Sequence, residues 1–159
     1  MKDKLKFFLA AVRPIAAGVA LYLIVFNVFH PFIVSGESMY PTYKDQNVVI
    51  STSDFSEDTL AYGDVVICKV KRGMVIKRIV ALPGDTLQVK DGMLYVNGSV
   101  SKYNYDNINE GGVFTEPIKL NAHQFVVMGD NRNHSQDSRE YGPLNVKNIK
   151  YLVTKTIIG

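Results

Sequence analysis

The sequence predicts a mainly β chain that begins with a single N-terminal transmembrane helix, and three observations carry this. From Ile15 to Phe29 the residues are apolar apart from Asn27. Beyond residue 34 the pattern changes to short runs rich in Val, Ile, Leu and aromatics, separated by turn residues, which is how strands read. Two of those gaps are Asp91-Gly92 and Asn97-Gly98, dipeptides that suit the positive φ of tight hairpin turns.

Taken in order, Phe7 to Val12, the run Ile15 to Phe29 and Phe32 to Val34 together reach the roughly 20 residues that span a bilayer. Arg13, Pro14 and Asn27 make the span imperfect. Lys2, Lys4, Lys6 and Arg13 precede it against Asp3 alone. The positive-inside rule therefore predicts a cytoplasmic basic segment over 1–14, a single-pass anchor in the cell membrane over 15–33 and an extracytoplasmic domain over 34–159. A cleavable signal peptide shares the charged start and apolar middle. Val34-x-Gly36 weakly resembles a cleavage site, but a cut there would separate the anchor from the Ser38 stretch.

The predicted strands are Asn47 to Ser51, Asp64 to Val70, Met74 to Val80, Thr86 to Val89, Leu94 to Val96, Gln124 to Met128 and Tyr151 to Ile158. So many short strands suggest a barrel-like or sandwich-like sheet. The polar stretch from about 99 to 121, with the hairpin before it, predicts a small β subdomain inserted over about 86–122.

Charge and cysteine content exclude several functions. Of 18 basic and 15 acidic residues, four and one fall in the first 14, so the remaining chain holds 14 of each. That neutral domain gives no basic patch for nucleic acid. Cys68 is the single cysteine and His30, His123 and His134 are far apart, so no metal site and no cofactor are expected.

Chemistry concentrates in three stretches. Ser38 lies between Gly36 and Pro41, on irregular backbone that exposes a hydroxyl. It needs a base, and neither the G-x-S-x-G nor the S-x-x-K spacing supplies one. In an extended Met74 to Val80 segment, Lys77 shares a face with Val75 and Ile79, and Arg78 takes the other with Met74, Ile76 and Val80. A lysine between aliphatic neighbours either desolvates, which favours the neutral amine, or snorkels to water. Gly129 to Arg139 follows an apolar strand with two Asp, two Arg and two Ser, and reads either as a solvated turn or as a polar network that orients the lysine.

The chain resembles the bacterial type I signal peptidases, membrane-anchored Ser-Lys proteases. The resemblance lies in Ser35 to Thr42, Gly63-Asp64-Val65-Val66, Lys77 to Asp85 and Gly129 to Arg139, in the family's order. It implies the catalytic fold shared by signal peptidases and self-cleaving repressors, with Ser38 as nucleophile and Lys77 as general base. Met39 would shape the pocket beside Ser38, Ser135 would hydrogen-bond the lysine amine, and Asp137 and Arg139 would form an ion pair behind the site with Arg78 nearby. Gly36 looks like the Gram-positive branch and lacks a hydroxyl that other members direct at the oxyanion. Phe32, Val34, Ser35, Met74, Val75 and Ile76 would flank an extended substrate. The implied partners are secreted preproteins with signal peptides and the lipid bilayer. A non-catalytic relative serving as an assembly or binding factor is the alternative of a different class.

Overall fold

The computed structural model describes residues 10, 12–20, 22, 29–105 and 107–157. Residues 12–20 are helical. Among the described residues no helix is long and apolar enough to cross a membrane. The anchor expected over 15–33 lies partly outside the described residues, at 21 and 23–28. Its predicted C-terminal end needs correction, because His30–Ile33 form strand β1. That strand was hidden in the sequence because it continues an apolar run, and pairing with β2 (Val48–Thr52) sets its conformation.

The main sheet has seven strands in the order β1-β2-β11-β3-β4-β9-β10. Besides β1 and β2 these are β3 (Val65–Val70), β4 (Gly73–Ala81), β9 (Gln124–Met128), β10 (Leu144–Asn145) and β11 (Ile149–Ile157). Every pair is antiparallel. A second sheet, β7-β6-β5-β8, is built from β5 (Thr86–Lys90), β6 (Met93–Val96), β7 (Ser99–Val100) and β8 (Ile118–Lys119). Its hairpins turn where the dipeptides lie. Asp91 and Gly92 stand at φ 49° and 75°, and Asn97 and Gly98 at 52° and 79°, the doubly positive geometry of a type I′ turn.

Strand β4 organises the interior. Ile76 enters a cluster with Val34, Met39, Tyr43, Val49 and Ile67. Ile79 enters one with Val66, Cys68, Phe125 and Val127. Val80 and Ala81 pack with Leu87 and Leu94 of the second sheet and with Phe114 of the 3-10 turn Gly112–Phe114. Alternation along the strand separates the first two clusters onto opposite faces, and a register shift between Ile79 and Ala81 lets the end of β4 reach the third.

The pairing of β4 also leaves an edge open. Strand β3 pairs along Gly73 to Arg78, whereas β9 joins only at Arg78, Ile79 and Ala81. Among the described residues, Gly73 to Lys77 therefore have a strand partner on one side only.

Candidate active site

Ser38 is presented by the connection between β1 and β2, and that connection is tied down on all sides. Val34 and Met39 are buried in the core beneath it. The Val34 N–H donates to the Asn47 carbonyl at 2.8 Å, and the Gln46 N–H donates to the Val34 carbonyl at 2.9 Å. Gly36 stands at φ +83°, where a side chain would be strained, and its N–H donates to Asp45 Oδ1 at 2.7 Å. From the opposite side the Asn131 N–H donates to the Ser38 carbonyl at 3.1 Å, and Asn131 Nδ2 donates to the Glu37 carbonyl at 3.2 Å. The Ser38 N–H itself has no acceptor among the described residues.

Lys77 comes from the β4 face that carries Val75 and Ile79, both packed in the same cluster. Its residue exposure is 3%. Nζ lies 2.7 Å from Ser38 Oγ and donates to the Ile76 carbonyl at 2.8 Å. Burial lowers the amine below its ordinary 10.5, and the charges of Asp137, Cys68 and Asp130 pull the other way without reversing the shift. No carboxylate forms a salt bridge with it among the described residues. Desolvation without a paired carboxylate favours the neutral amine, to which the serine O–H can donate.

Arg78, the next residue, has the opposite environment. Nε donates to Asp130 Oδ1 at 2.8 Å and Nη2 to Asp130 Oδ2 at 2.7 Å, a bidentate pair. Nη1 donates to the Gly63 carbonyl at 2.7 Å, and the Thr42 hydroxyl donates to Asp130 Oδ2. Burial opposes its charge, but the Asp130 hydrogen bonds and charge overcome this and raise Arg78 above its usual range. Behind the site Arg139 pairs with Asp137 at 2.8 Å. Asp137 also accepts from the Gly129 N–H at 3.0 Å and caps the short helix Ser138–Tyr141 through the Arg139 N–H. Arg132, 1% exposed, donates to the carbonyls of Gly129 and Tyr103.

The structure brings Ser38 and Lys77 into contact and sets the Arg78–Asp130 and Asp137–Arg139 pairs around them, while three of the expected contacts differ. Ser135 does not hydrogen-bond Lys77. Its Oγ is buried without a partner, against Gly129, where an added Cβ would collide with both Ser135 Oγ and the Ser38 carbonyl. Met39 does not line the cleft, because it is fully buried in the cluster around Ile76, and Val34 is buried for the same reason. The cleft beside Ser38 has a volume of about 310 Å³ and is edged by Phe32 and Ser35 on one side and by Met74, Val75 and Ile76 on the other. Glu37, His134 and Gln136 also line it and were not singled out from sequence.

Asp130, Asp45 and Asn131 are the other residues that sequence reasoning missed. Asp130 and Asn131 sit in the polar stretch already noted, but the Arg78–Asp130 pair depends on the register that sets Arg78 opposite Met128. Asp45 carries no local sign of its hydrogen bond to Gly36. Among the described residues no three His, Cys, Asp or Glu side chains converge. Burial pushes the Cys68 thiol up to about 12, against the pull of Lys77, so this cysteine is an unreactive strand residue.

Fold and site fit the class of serine peptidases built on antiparallel sheet. Sequence comparison supplies the family: the profile described as signal peptidase, peptidase S26, matches residues 6–157, and the chain belongs to that family. It is 33% identical over 154 residues to signal peptidase I S of Bacillus subtilis strain 168, covering 86% of this chain and 81% of the relative. Signal peptidase IB of Staphylococcus aureus strain Mu50 is 31% identical over 152 residues, with 84% and 80% covered. A signal peptidase I of known structure from Enterococcus faecalis V583 superposes with a TM-score of 0.48 at 24% identity, over 60% of this chain and 97% of that one.

Proposed function

We propose that this signal peptidase is a membrane-anchored serine endopeptidase that removes signal peptides from secreted preproteins after small residues, with Ser38 as nucleophile and Lys77 as general base. The observation that carries the reading is the 2.7 Å contact between Ser38 Oγ and an almost fully buried Lys77 amine. Neutral Lys77 takes the Ser38 proton as Oγ bonds to the scissile carbonyl carbon. The resulting ammonium returns that proton to the leaving amine as the C–N bond breaks, which leaves an acyl-enzyme. Water, deprotonated by the same lysine, then attacks the ester and frees Ser38.

The charge that develops on the carbonyl oxygen needs a donor already aimed at it. The Ser38 N–H, which has no other acceptor among the described residues, fills that role. Gly36 brings no hydroxyl, and its N–H is engaged by Asp45. An extended substrate would add a strand between the 32–36 segment and the open edge of Met74 to Ile76, where main-chain hydrogen bonds give affinity and alternate side chains enter pockets. The apolar segment from residue 15 supplies the anchor up to the point where β1 begins at His30.

The test is cleavage of a preprotein bearing an Ala-x-Ala site by the detergent-solubilised protein, with Ser38→Ala and Lys77→Ala alongside. The proposal expects a cut after the second alanine by the wild type, and at least about 10²-fold slower turnover for each variant. An inert wild type, or an active Lys77→Ala, would overturn it, and an inert wild type would favour a non-catalytic binding factor.

A further inference from the structure

The strand registers fix which end of the main sheet faces the anchor, and cations gather there. His30 lies opposite Ser51, Ser51 opposite Val153, and Leu152 opposite Val66. Strand β3 therefore rises past the level of His30, where the chain leaves the sheet toward the apolar segment. The turn joining Val70 to Gly73 stands about five residues higher, roughly 17 Å along the strand. It carries Lys69, Lys71 and Arg72, all exposed. At the same end, Lys147 of the turn before β11 and Lys150 at the start of β11 add two more exposed lysines. The ammonium groups of Lys69 and Lys71 make no hydrogen bond or ion pair among the described residues. Arg72 reaches Gln136 at 2.5 Å and Glu140 at 3.6 Å.

Beneath these cations runs a groove of about 650 Å³. Val70, Val75, Tyr141 and Leu144 contribute its apolar lining. It adjoins the catalytic cleft, since Val75 and Gln136 line both. A cationic rim over an apolar floor is complementary to an amphiphile with an anionic head.

We propose that the β3–β4 turn and this groove form a docking surface for anionic phospholipid at the outer face of the membrane. The cations hold the headgroup phosphate and the apolar floor receives the first methylenes of an acyl chain. The inference rests on the apolar segment before β1 being the anchor, because that anchor is what brings this end of the sheet to the headgroups. Docking here tilts the open edge of β4 toward the membrane surface, where the cleavage region of a signal peptide emerges.

The experiment uses the full chain in bilayer discs of phosphatidylcholine alone, and in discs with about one third phosphatidylglycerol. Amide hydrogen exchange over residues 69–75 and preprotein cleavage are read in both. Because each basic residue near an anionic surface adds about a fivefold preference, exchange in the turn is expected to slow at least fivefold in the anionic discs. The Lys69→Gln/Lys71→Gln/Arg72→Gln variant should return to the phosphatidylcholine rate. A nitroxide on Lys71→Cys gives a second reading, since buried Cys68 does not compete for the label, and it should report headgroup depth in anionic discs only. Equal exchange in the two discs, or an unchanged charge variant, overturns the docking surface. Should cleavage persist in both discs without an exchange difference, docking falls and the peptidase reading stands. Slowed exchange with no cleavage in either disc would remove the peptidase reading and leave the docking surface.

Discussion

Lys77 and Arg78 are neighbours on β4, both cationic in ordinary solution and both buried, yet the fold treats them in opposite ways. Arg78 meets a bidentate carboxylate, and its charge is held. Lys77 meets a hydroxyl and a carbonyl, and its charge is disfavoured. Strand alternation explains how this is possible, because it sends adjacent side chains to different faces and so to different partners. A paired buried ion holds loops in place, whereas an unpaired one is spent on reactivity. Arg78 ties β4 to Asp130 and through it to Thr42 of the loop that carries Ser38.

The contrast breaks first at Asp130. Asp130→Ala would leave the Arg78 guanidinium buried without its carboxylate, and breaking one half of such a pair costs about 3–5 kcal/mol. Thermal unfolding should show a fall in Tm of at least about 10 °C, with loss of activity following the loss of fold. A Tm within a few degrees of wild type would mean that the pair is dispensable.

Lys77→Met should act in the other direction. With the folded pKa of Lys77 depressed below its ordinary value, the unfolded chain binds a proton that the folded chain does not hold between those two pKa values. Stability from this site therefore rises with pH through that interval and falls as pH drops through it. Methionine removes the titration, so the inert variant should gain in Tm relative to wild type as pH is lowered and lose that gain as pH approaches 10.5. Paired melting curves across pH check this, and a gap that grows with rising pH would contradict it.

Gly129→Ala sharpens the comparison at smaller amplitude. The new methyl would press on Ser135 and on the Ser38 carbonyl, moving the nucleophile rather than the ion pairs. Turnover should drop about tenfold or more, with a smaller loss of stability than at Asp130. Assays of kcat and Tm on the same preparation separate the two effects.

Most of this was legible in the sequence where the signal is local. The longer strands follow runs rich in Val, Ile, Leu and aromatics, and the two type I′ turns follow their Asp-Gly and Asn-Gly dipeptides. Strands β7, β8 and β10 have two residues each, too few for any periodicity to register, and exist because a longer strand lies beside them. The Ser38 and Lys77 assignments rested on resemblance as much as on spacing, since 39 residues separate the two and only the folded sheet brings them to 2.7 Å. Asp130 went unnoticed because its partner is set by register across 52 residues. Ser135 and Met39 were given contacts that depend on packing at Gly129 and around Ile76, which the sequence does not display.

Whether the Lys77 amine is neutral at working pH is read by a nuclear magnetic resonance titration of its Nζ and adjacent carbon in selectively labelled protein. The expected pKa lies clearly below 10.5 and coincides with the acid limb of the preprotein cleavage rate, which should rise with pH as the amine loses its proton. A pKa at or above 10.5, or a cleavage rate that ignores this titration, would contradict the general-base role.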